Sequence, residues 1–375
     1  MSRIRVGIVG ANPERGWAVR AHVPALRALP DYEITAVATS REDSAREAAR
    51  RFGAAHAFTD PRALAAHPEV DLVAVTVKVP HHAELVGAAL EAGAHVLCEW
   101  PLARTTAEAR DLLDQARAAG VRHALGLQGR FAPAVTYARD LLRDGAVGRV
   151  TAVNVHSAVG KGANGRLPSW SAYTVTRAGA AGLLEVVGGH TLDVVEHLLG
   201  GVDSLSATLS VQRGQYVIEE SGETIEADTP DQLLLSATMT SGAVVSLHLH
   251  SGKVTEPGAR IEISGTEGDL ALVSTGPGSP YGVQISELRL YGTAGGAWKE
   301  LPIPEEYVRV PGAAGDARNV AELYAALAAD LRTGGGQVPD FAHGLRLHGL
   351  LDAIRHSAET GTRQTAVPDL IGAPA

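Results

Sequence analysis

Cysteine is nearly absent from this 375-residue chain: Cys98 stands alone, which excludes an internal disulfide and any cysteine-based zinc cluster. Long apolar runs are missing too. None approaches the roughly 18 residues that a membrane-spanning helix needs, so no membrane partner is expected. Basic charge is in deficit, with 33 Lys and Arg against 42 Asp and Glu, a net charge of −9 and a pI near 5.9. That sign argues against a nucleic-acid partner, which requires a basic face. Lysine is scarcer still: only Lys78, Lys161, Lys253 and Lys299 occur among the cations, the rest being arginines. The opening MSRIRVGIVG lacks the apolar stretch and small-residue cleavage site of a signal peptide, and a soluble cytoplasmic protein is expected.

What is present is an ordinary globular composition, 45% hydrophobic and 20% charged, in a chain too long for one core. Two domains are predicted, residues 1–128 and 129–375. In the first, short apolar strands (Ile4–Val9, Ile34–Thr39, Val70–Val77, Ala94–Cys98, His123–Leu127) alternate with helical stretches (Trp17–Leu29 interrupted at Pro24, Ser44–Phe52, His82–Glu91, Ala107–Ala119). This pattern predicts an α/β fold with a doubly wound parallel sheet covered on both faces. From about 150 to 310 strands dominate, with one helix over Gly182–Leu199, so an α+β domain on a largely antiparallel open sheet is expected. Residues 213–231 and 274–282 read as loops. A last helix over about 341–359 presents Leu347, Leu350, Leu351, Ile354 and Ala358 at helical spacing.

The first strand runs into VGIVGANPERGW. A dinucleotide-binding turn wants a glycine for the tight turn, a second for close approach of the pyrophosphate, and a third where helix meets strand. Gly10 fits the first role, Ala11 follows it, Asn12 occupies the second position, and Gly16 comes late. The strand–turn–helix context compensates, because backbone N–H groups at a helix start attract phosphate whatever the side chains. The second strand ends in Thr39, Ser40 and Arg41, where NAD-selective sites place an acid on the ribose hydroxyls. A hydroxyl and a guanidinium there suit a 2′-phosphate, so NADP(H) is favoured, with NAD(H) possible. At the third strand's tail, Val77 and Lys78 face the crevice and His82 starts or caps the next helix. His248 and His250 share a strand face, as zinc ligands can, but no third ligand is in register and no metal site is expected.

The stretches VGIVGAN…AHVPAL, HAELVGAALEAGAHVLCEWPLA, RDLLRDGAVGRV, RIEISGTEGDLAL and LLDAIRHSAETG resemble the Gfo/Idh/MocA oxidoreductases (glucose–fructose oxidoreductase, inositol 2-dehydrogenase and MocA) over essentially the full length. Within that family, EWPLA, LQGR, GGHTLD and TPDQLLL are most similar to the branch that contains the fungal galactose-regulon repressor, a nucleotide-binding regulator. Family members carry Glu-Lys-Pro where this chain has Glu99-Trp100-Pro101. Their lysine helps move the proton of the reacting hydroxyl, while the glutamate and proline shape the nicotinamide end. They also place an aspartate four residues before a histidine; here the histidine is His190 and the aspartate position is Val186.

The resemblance implies hydride transfer between a nicotinamide and a sugar, cyclitol or related polyol or ketone, with His190 as proton donor and acceptor. Asp193, one helical turn on, is placed to orient it or meet substrate. Lys78 is the candidate replacement for the missing lysine. Trp17 and Trp100 are expected to wall the nicotinamide pocket, Gln128 and Arg130 to face cofactor or substrate, and Trp170 and Tyr173 to cover the substrate. Subunit contacts through the second-domain sheet, in a homodimer or homotetramer, are a further implication. The alternative is a non-catalytic nucleotide-binding regulator or sensor acting through a protein partner.

Overall fold

The computed structural model describes residues 2–275, 282–294, 296–365 and 367. Of the predicted 274–282 loop, residues 276–281 therefore lie outside the described residues. The chain divides into two compact units, one comprising residues 1–128 with 309–345, the other 129–308 with 346–375. Residues 309–345, read from sequence as part of the second domain, fold with the first unit.

The first unit is built on six parallel strands: β1 (Ile4–Val9), β2 (Tyr32–Ala38), β3 (His56–Phe58), β4 (Leu72–Val75), β5 (His95–Glu99) and β6 (His123–Gly126), in the order β3-β2-β1-β4-β5-β6. This is the doubly wound order, with its switch point between β1 and β4, where ligands bind at the carboxyl ends of the strands. All four residues of β4 are buried, as are Val6–Val9 except for glycine's lack of side chain, the continuous apolar run that a sheet covered on both faces demands. Between them run α1 (Val23–Arg27), α2 (Glu42–Phe52), α3 (Pro61–Ala65), α4 (His82–Glu91) and α5 (Thr106–Ala119). The predicted Trp17–Leu29 helix is a π-helical turn over Ala18–His22 that feeds α1, with Pro24 in its first turn, where a missing N–H costs nothing. Helix α5 is capped as its sequence dictates: Thr105 Oγ1 accepts from the Glu108 N–H at 3.1 Å, and Gly120 closes the other end in the left-handed conformation.

The second unit begins with α6 (Pro133–Arg143). It carries β7 (Val150–Val159), β8 (Arg166–Leu167), β9 (Val202–Ser210), β10 (Gln215–Ile218), β11 (Thr224–Glu226), β12 (Gln232–Met239), β13 (Val244–Ser251), β14 (Gly258–Gly265), β15 (Asp269–Thr275), β16 (Glu287–Ala294) and β17 (Ala297–Leu301). Eight of these form one sheet in the order β17-β16-β15-β14-β7-β13-β12-β9, antiparallel except for the parallel pair β7–β13. Strict alternation marks it as one-sided: Leu233, Leu235, Ala237, Val245, Leu247 and Leu249 are buried while Leu234, Val244, Ser246 and His248 face outward. A π-helical stretch, Leu183–Gly188, packs on β12 and β13 and continues into α7 (Gly189–Leu199). Strands β8, β10 and β11 form a separate small sheet, so part of the predicted 213–231 loop is a hairpin.

The chain then returns to the first unit with α8 (Ala317–Thr333), which packs on α1; α9 (Phe341–Thr360) follows, with its residues from Arg346 on in the second unit. Among the described residues no helix is long and apolar enough to cross a membrane.

Candidate active site

At the end of β1 the chain turns at Gly10 with φ of +91°. A Cβ there would come within 2.7 Å of Val77 Cγ1 and 3.1 Å of Thr76 Oγ1, so both conformation and space require glycine. The Gly10 and Ala11 N–H groups donate to the Ala38 carbonyl at 3.0 and 3.2 Å, which locks the turn to the end of β2. Asn12 explains how the fingerprint survives without its second glycine. Its Oδ1 accepts from the N–H groups of Glu14 (2.9 Å) and Arg15 (3.1 Å), organising the loop from within. Above the turn lies a cavity of about 770 Å³ lined by Gly10, Asn12, Ser40, Arg41 and Val77 among others, a volume in the range of cofactor sites. The sequence reading missed Asp43, which also lines it: Arg41 Nε and Nη2 hold its two oxygens at 3.0 and 2.5 Å. The pair holds the Asp43 carboxyl below its usual range.

The tails of β4, β5 and β6 carry a second, buried set of polar contacts. His82, the first residue of α4, lies between two carbonyls, with Nδ1 2.8 Å from Pro101 O and Nε2 3.1 Å from Val77 O. It thereby ties the β4 and β5 tails together, and burial pushes its pKa down. The Trp100–Pro101 peptide is cis, and Trp100 is buried. The Glu99 carboxylate lies 3.0 Å from His22 Nε2, and His22 Nδ1 lies 2.8 Å from the Tyr324 hydroxyl. One tautomer satisfies all three groups: Nε2–H donates to Glu99 while Nδ1 accepts from Tyr324. Gly126 makes room for this arrangement, because a Cβ there would stand 2.7 Å from Glu99 Cδ and closer still to Oε1. His22 and Tyr324 were not among the predicted site residues, although His22 lies within the quoted AHVPAL. Lys78 is exposed on the turn after β4 and is not among the residues that line the nucleotide cavity. Its strand does neighbour that of Trp100, Val75 pairing with Cys98. Cys98 is fully buried, which pushes its thiol well above the usual range.

In the second unit His190 is buried near the start of α7. Asp193 is taken up by Arg130: Nε donates to Oδ2 at 3.0 Å and Nη2 to Oδ1, with side-chain exposures of only 11% and 1%. Both oxygens of Asp193, the residue expected to orient His190 or meet substrate, are thus engaged by a guanidinium, a partner that the sequence spacing does not reveal. Val186 and Tyr173 line a cavity of about 240 Å³, while Trp170 is 47% exposed beside it, over Lys161. On the open face of the large sheet the parallel β7–β13 register sets His156 opposite His248. It supplies the third histidine that the sequence reading did not find, with ring centroids 5.1–6.1 Å apart among His156, His248 and His250. His56, His67 and Glu69 also meet, at the rim of the first sheet, with His56 Nε2 2.5 Å from Glu69 Oε2.

Comparison with known proteins places this geometry. Residues 4–127 match the Gfo/Idh/MocA model, described as an oxidoreductase family with an NAD-binding Rossmann fold, and residues 133–274 match the Gal80p C-terminal domain. The dehydrogenase aclE of Aspergillus oryzae is 33% identical over 282 residues, 72% of this chain and 76% of that protein. The chain belongs to the Gfo/Idh/MocA oxidoreductase family. The galactose/lactose metabolism regulatory protein GAL80 of Saccharomyces cerevisiae is 27% identical (77% of this chain, 70% of that protein). Levoglucosan dehydrogenase of Pseudarthrobacter phenanthrenivorans is 26% identical across 96% and 97%. In fold the chain is similar to a super-repressor mutant of Gal80p, with a TM-score of 0.87 at 22% identity covering 99% and 100% of the two chains.

Membership sharpens what the residues mean. The family's nucleotide is an NAD-type dinucleotide, and the first unit fits one by its own observations. The Gly10 turn, closed to a Cβ by Val77 and Thr76, lines the cavity of about 770 Å³; outside that lining, two buried polar atoms of the unit, Gln128 Oε1 and Trp17 Nε1, have no protein partner. Such groups are costly unless a ligand meets them. Trp100 is buried and offers only an indole N–H donor, and Val186 cannot titrate.

Proposed function

We propose that this chain is an NAD(P)-dependent oxidoreductase acting on a CH–OH group of a sugar, cyclitol or related polyol, or on the matching ketone. The observation that carries the reading is His190, an imidazole whose ordinary pKa lies near working pH. It sits four residues after Val186, itself in the wall of a cavity of about 240 Å³. The nicotinamide supplies or accepts the hydride. His190 takes the hydroxyl proton or returns it, in place of the three-residue set that family members carry. Arg130 and Asp193 fix each other and the segment joining the last strand of the first unit to α6. Gln128 Oε1 and the Trp17 N–H are the free polar atoms for the cofactor, Glu99 and His82 hold its loops, and Tyr173 and Trp170 flank the substrate. Lys78 lies outside the nucleotide cavity and serves at most as a secondary proton carrier from its exposed turn.

For the cofactor we favour NADP(H), with NAD(H) accepted. Ser40 and Arg41 stand where an acid would select NAD, and a 2′-phosphate competes with Asp43 for the Arg41 guanidinium. The open sheet face carrying Ser246 and His248 is the proposed homo-oligomer contact.

One feature favours a second reading, a nucleotide-binding regulator acting through a protein partner: two of the family's proton-handling positions are apolar, at Trp100 and Val186. Titration with NADPH and NADH, then absorbance at 340 nm across keto-sugars and polyols, separates the two. The enzyme reading expects turnover that falls at least about 100-fold in His190→Ala. Nucleotide binding without turnover on any substrate, or turnover indifferent to His190→Ala, overturns it.

A further inference from the structure

Lys161 lines two neighbouring cavities of the second unit. It follows β7 between two glycines, and the chain there is pressed against the small sheet. Gly162 has φ of +72°, and a Cβ on it would meet Tyr216 Cε1 at 2.8 Å and Leu167 Cδ2 at 3.2 Å. The side chain is thereby directed inward. Lys161 Nζ donates to Thr174 Oγ1 at 3.0 Å, while the Thr174 hydroxyl donates its own proton to Ser171 O at 2.8 Å. The ammonium also lies 5.5 Å from the centre of the Trp170 ring.

Lys161 lines the 240 Å³ cavity beside Tyr173, Tyr216 and Val186, and no carboxylate lines that cavity among the described residues. It also lines a second hollow with Arg166, Glu219 and Lys253, where the acid is exposed. Desolvation without a counter-ion pushes the Lys161 pKa down to about 8. An anion brought to such a cation would favour its charged form.

From this geometry we infer that Lys161 is the recognition cation for a carboxylate on the substrate, so that the substrate class is sugar acids, uronic or aldonic, rather than neutral sugars. The inference rests on the oxidoreductase reading only for the word substrate; the pocket and its ligand chemistry stand on the second unit alone. One lysine supplies one charge, which matches a carboxylate and leaves a phosphate dianion under-neutralised. Three ammonium donors, one already on Thr174, leave two for the carboxylate oxygens. The apolar wall formed by Val186, Leu183 and Ile285 suits the face of a sugar ring.

With only four lysines, the chain is suited to selective 13C-lysine labelling and NMR of the Cε signals, which leaves every ammonium unmodified. The full-length protein should show one lysine Cε signal titrating near pH 8 and absent from Lys161→Met. Adding D-glucuronate or D-gluconate should move its midpoint upward, since a bound anion favours the ammonium, and D-glucose should leave it unmoved. Calorimetry should find glucuronate binding weakened about tenfold or more in both Lys161→Met and Lys161→Gln. No midpoint change with either acid, an equal response to D-glucose, or unaltered affinity in both variants overturns the assignment. A larger response to D-glucose 6-phosphate overturns the carboxylate class. These readouts need neither nucleotide nor turnover. Acids that bind through Lys161, with no turnover of any acid, sugar or polyol in the presence of nucleotide, sink the enzyme reading alone. Neutral sugars oxidised equally by the unaltered chain and Lys161→Met sink the Lys161 assignment alone.

Discussion

Gly126→Ala is a one-carbon change whose effect the structure makes calculable. Gly126 is paired directly with Glu99 across β5 and β6, and its missing side chain is what lets the Glu99 carboxylate lie across the strand toward His22. An added Cβ, 2.7 Å from Glu99 Cδ and 2.9 Å from Oε2, forces that carboxylate to move. Losing a buried hydrogen bond to a charged group costs about 1.5–3 kcal/mol. Driving the Glu99 side chain off its rotamer adds about 0.5–1.5 kcal/mol. Alanine in place of glycine returns about 0.4–1 kcal/mol by restricting the unfolded chain. The net expectation is a loss of roughly 1–4 kcal/mol, with weaker NADPH binding because a loop at the strand tails is displaced. The decisive measurement repeats the substitution in a Glu99→Ala background, following unfolding in guanidinium by the fluorescence of Trp17 and Trp100. With no carboxylate to displace, Gly126→Ala should there be neutral or stabilising by about 0.4–1 kcal/mol. An equal loss in both backgrounds would refute the reasoning, since it would locate the clash in the backbone rather than in Glu99.

Two further outcomes are expected. Asp193→Asn leaves the nearly buried Arg130 guanidinium without its charge partner and should cost about 3–5 kcal/mol by denaturant unfolding, whereas Arg130→Met with Asp193→Leu should lose far less; similar losses would show that the pair itself, not the stranded charge, is what matters. His156 and His250 have their pKa values lowered, first by burial and then by neighbouring histidines and Lys253. Above the unfolded value of about 6.5 neither state is charged and the cluster contributes nothing to pH dependence; below it the unfolded chain takes up protons that the fold resists, so stability falls. Calorimetric melting from pH 7.5 to 5.5 should therefore decline more steeply in the unaltered protein than in His156→Asn/His250→Asn. Buried His82 acts with the same sign in both, so parallel curves would show that the sheet-face cluster carries none of the dependence.

The parts of the molecule legible in the sequence are those in which local pattern and tertiary role coincide. The β4 and α4 stretches were readable because a buried parallel strand is apolar at every position and its following helix ends at a glycine. Strand β3 was not, because three half-exposed residues carry no periodicity. Helix α8 has ordinary helical spacing, but nothing in residues 309–345 says that they return to the first unit. The hairpin β10–β11 hides in a polar segment because half of its few side chains face solvent. The parallel pairing of β7 with β13, which brings His156 beside His248, joins strands more than 80 positions apart in a sheet otherwise antiparallel.

The same distinction explains the site. The resemblance read from the sequence implies a lysine at the Trp100 position and an aspartate at the Val186 position, because each is a single position in a motif. It could not establish what the remaining charged groups were doing, since their partners are set by packing between distant segments. Glu99 is held by His22, 77 positions away, and His22 by Tyr324, 302 positions away. Asp193 is held by Arg130 across 63 positions. The partners of Glu99 and Asp193 are therefore set by packing, which no local motif announces. Lys161 lay outside every motif, so only the loop geometry at Gly162 and the cavity beyond it could bring it forward. If Trp100 and Val186 stand at the motif's titrating positions, as the resemblance implies, the desolvated Lys161 in its cavity of about 240 Å³ is the group that the proposed acidic ligand answers, and the site is then retuned rather than stripped of function.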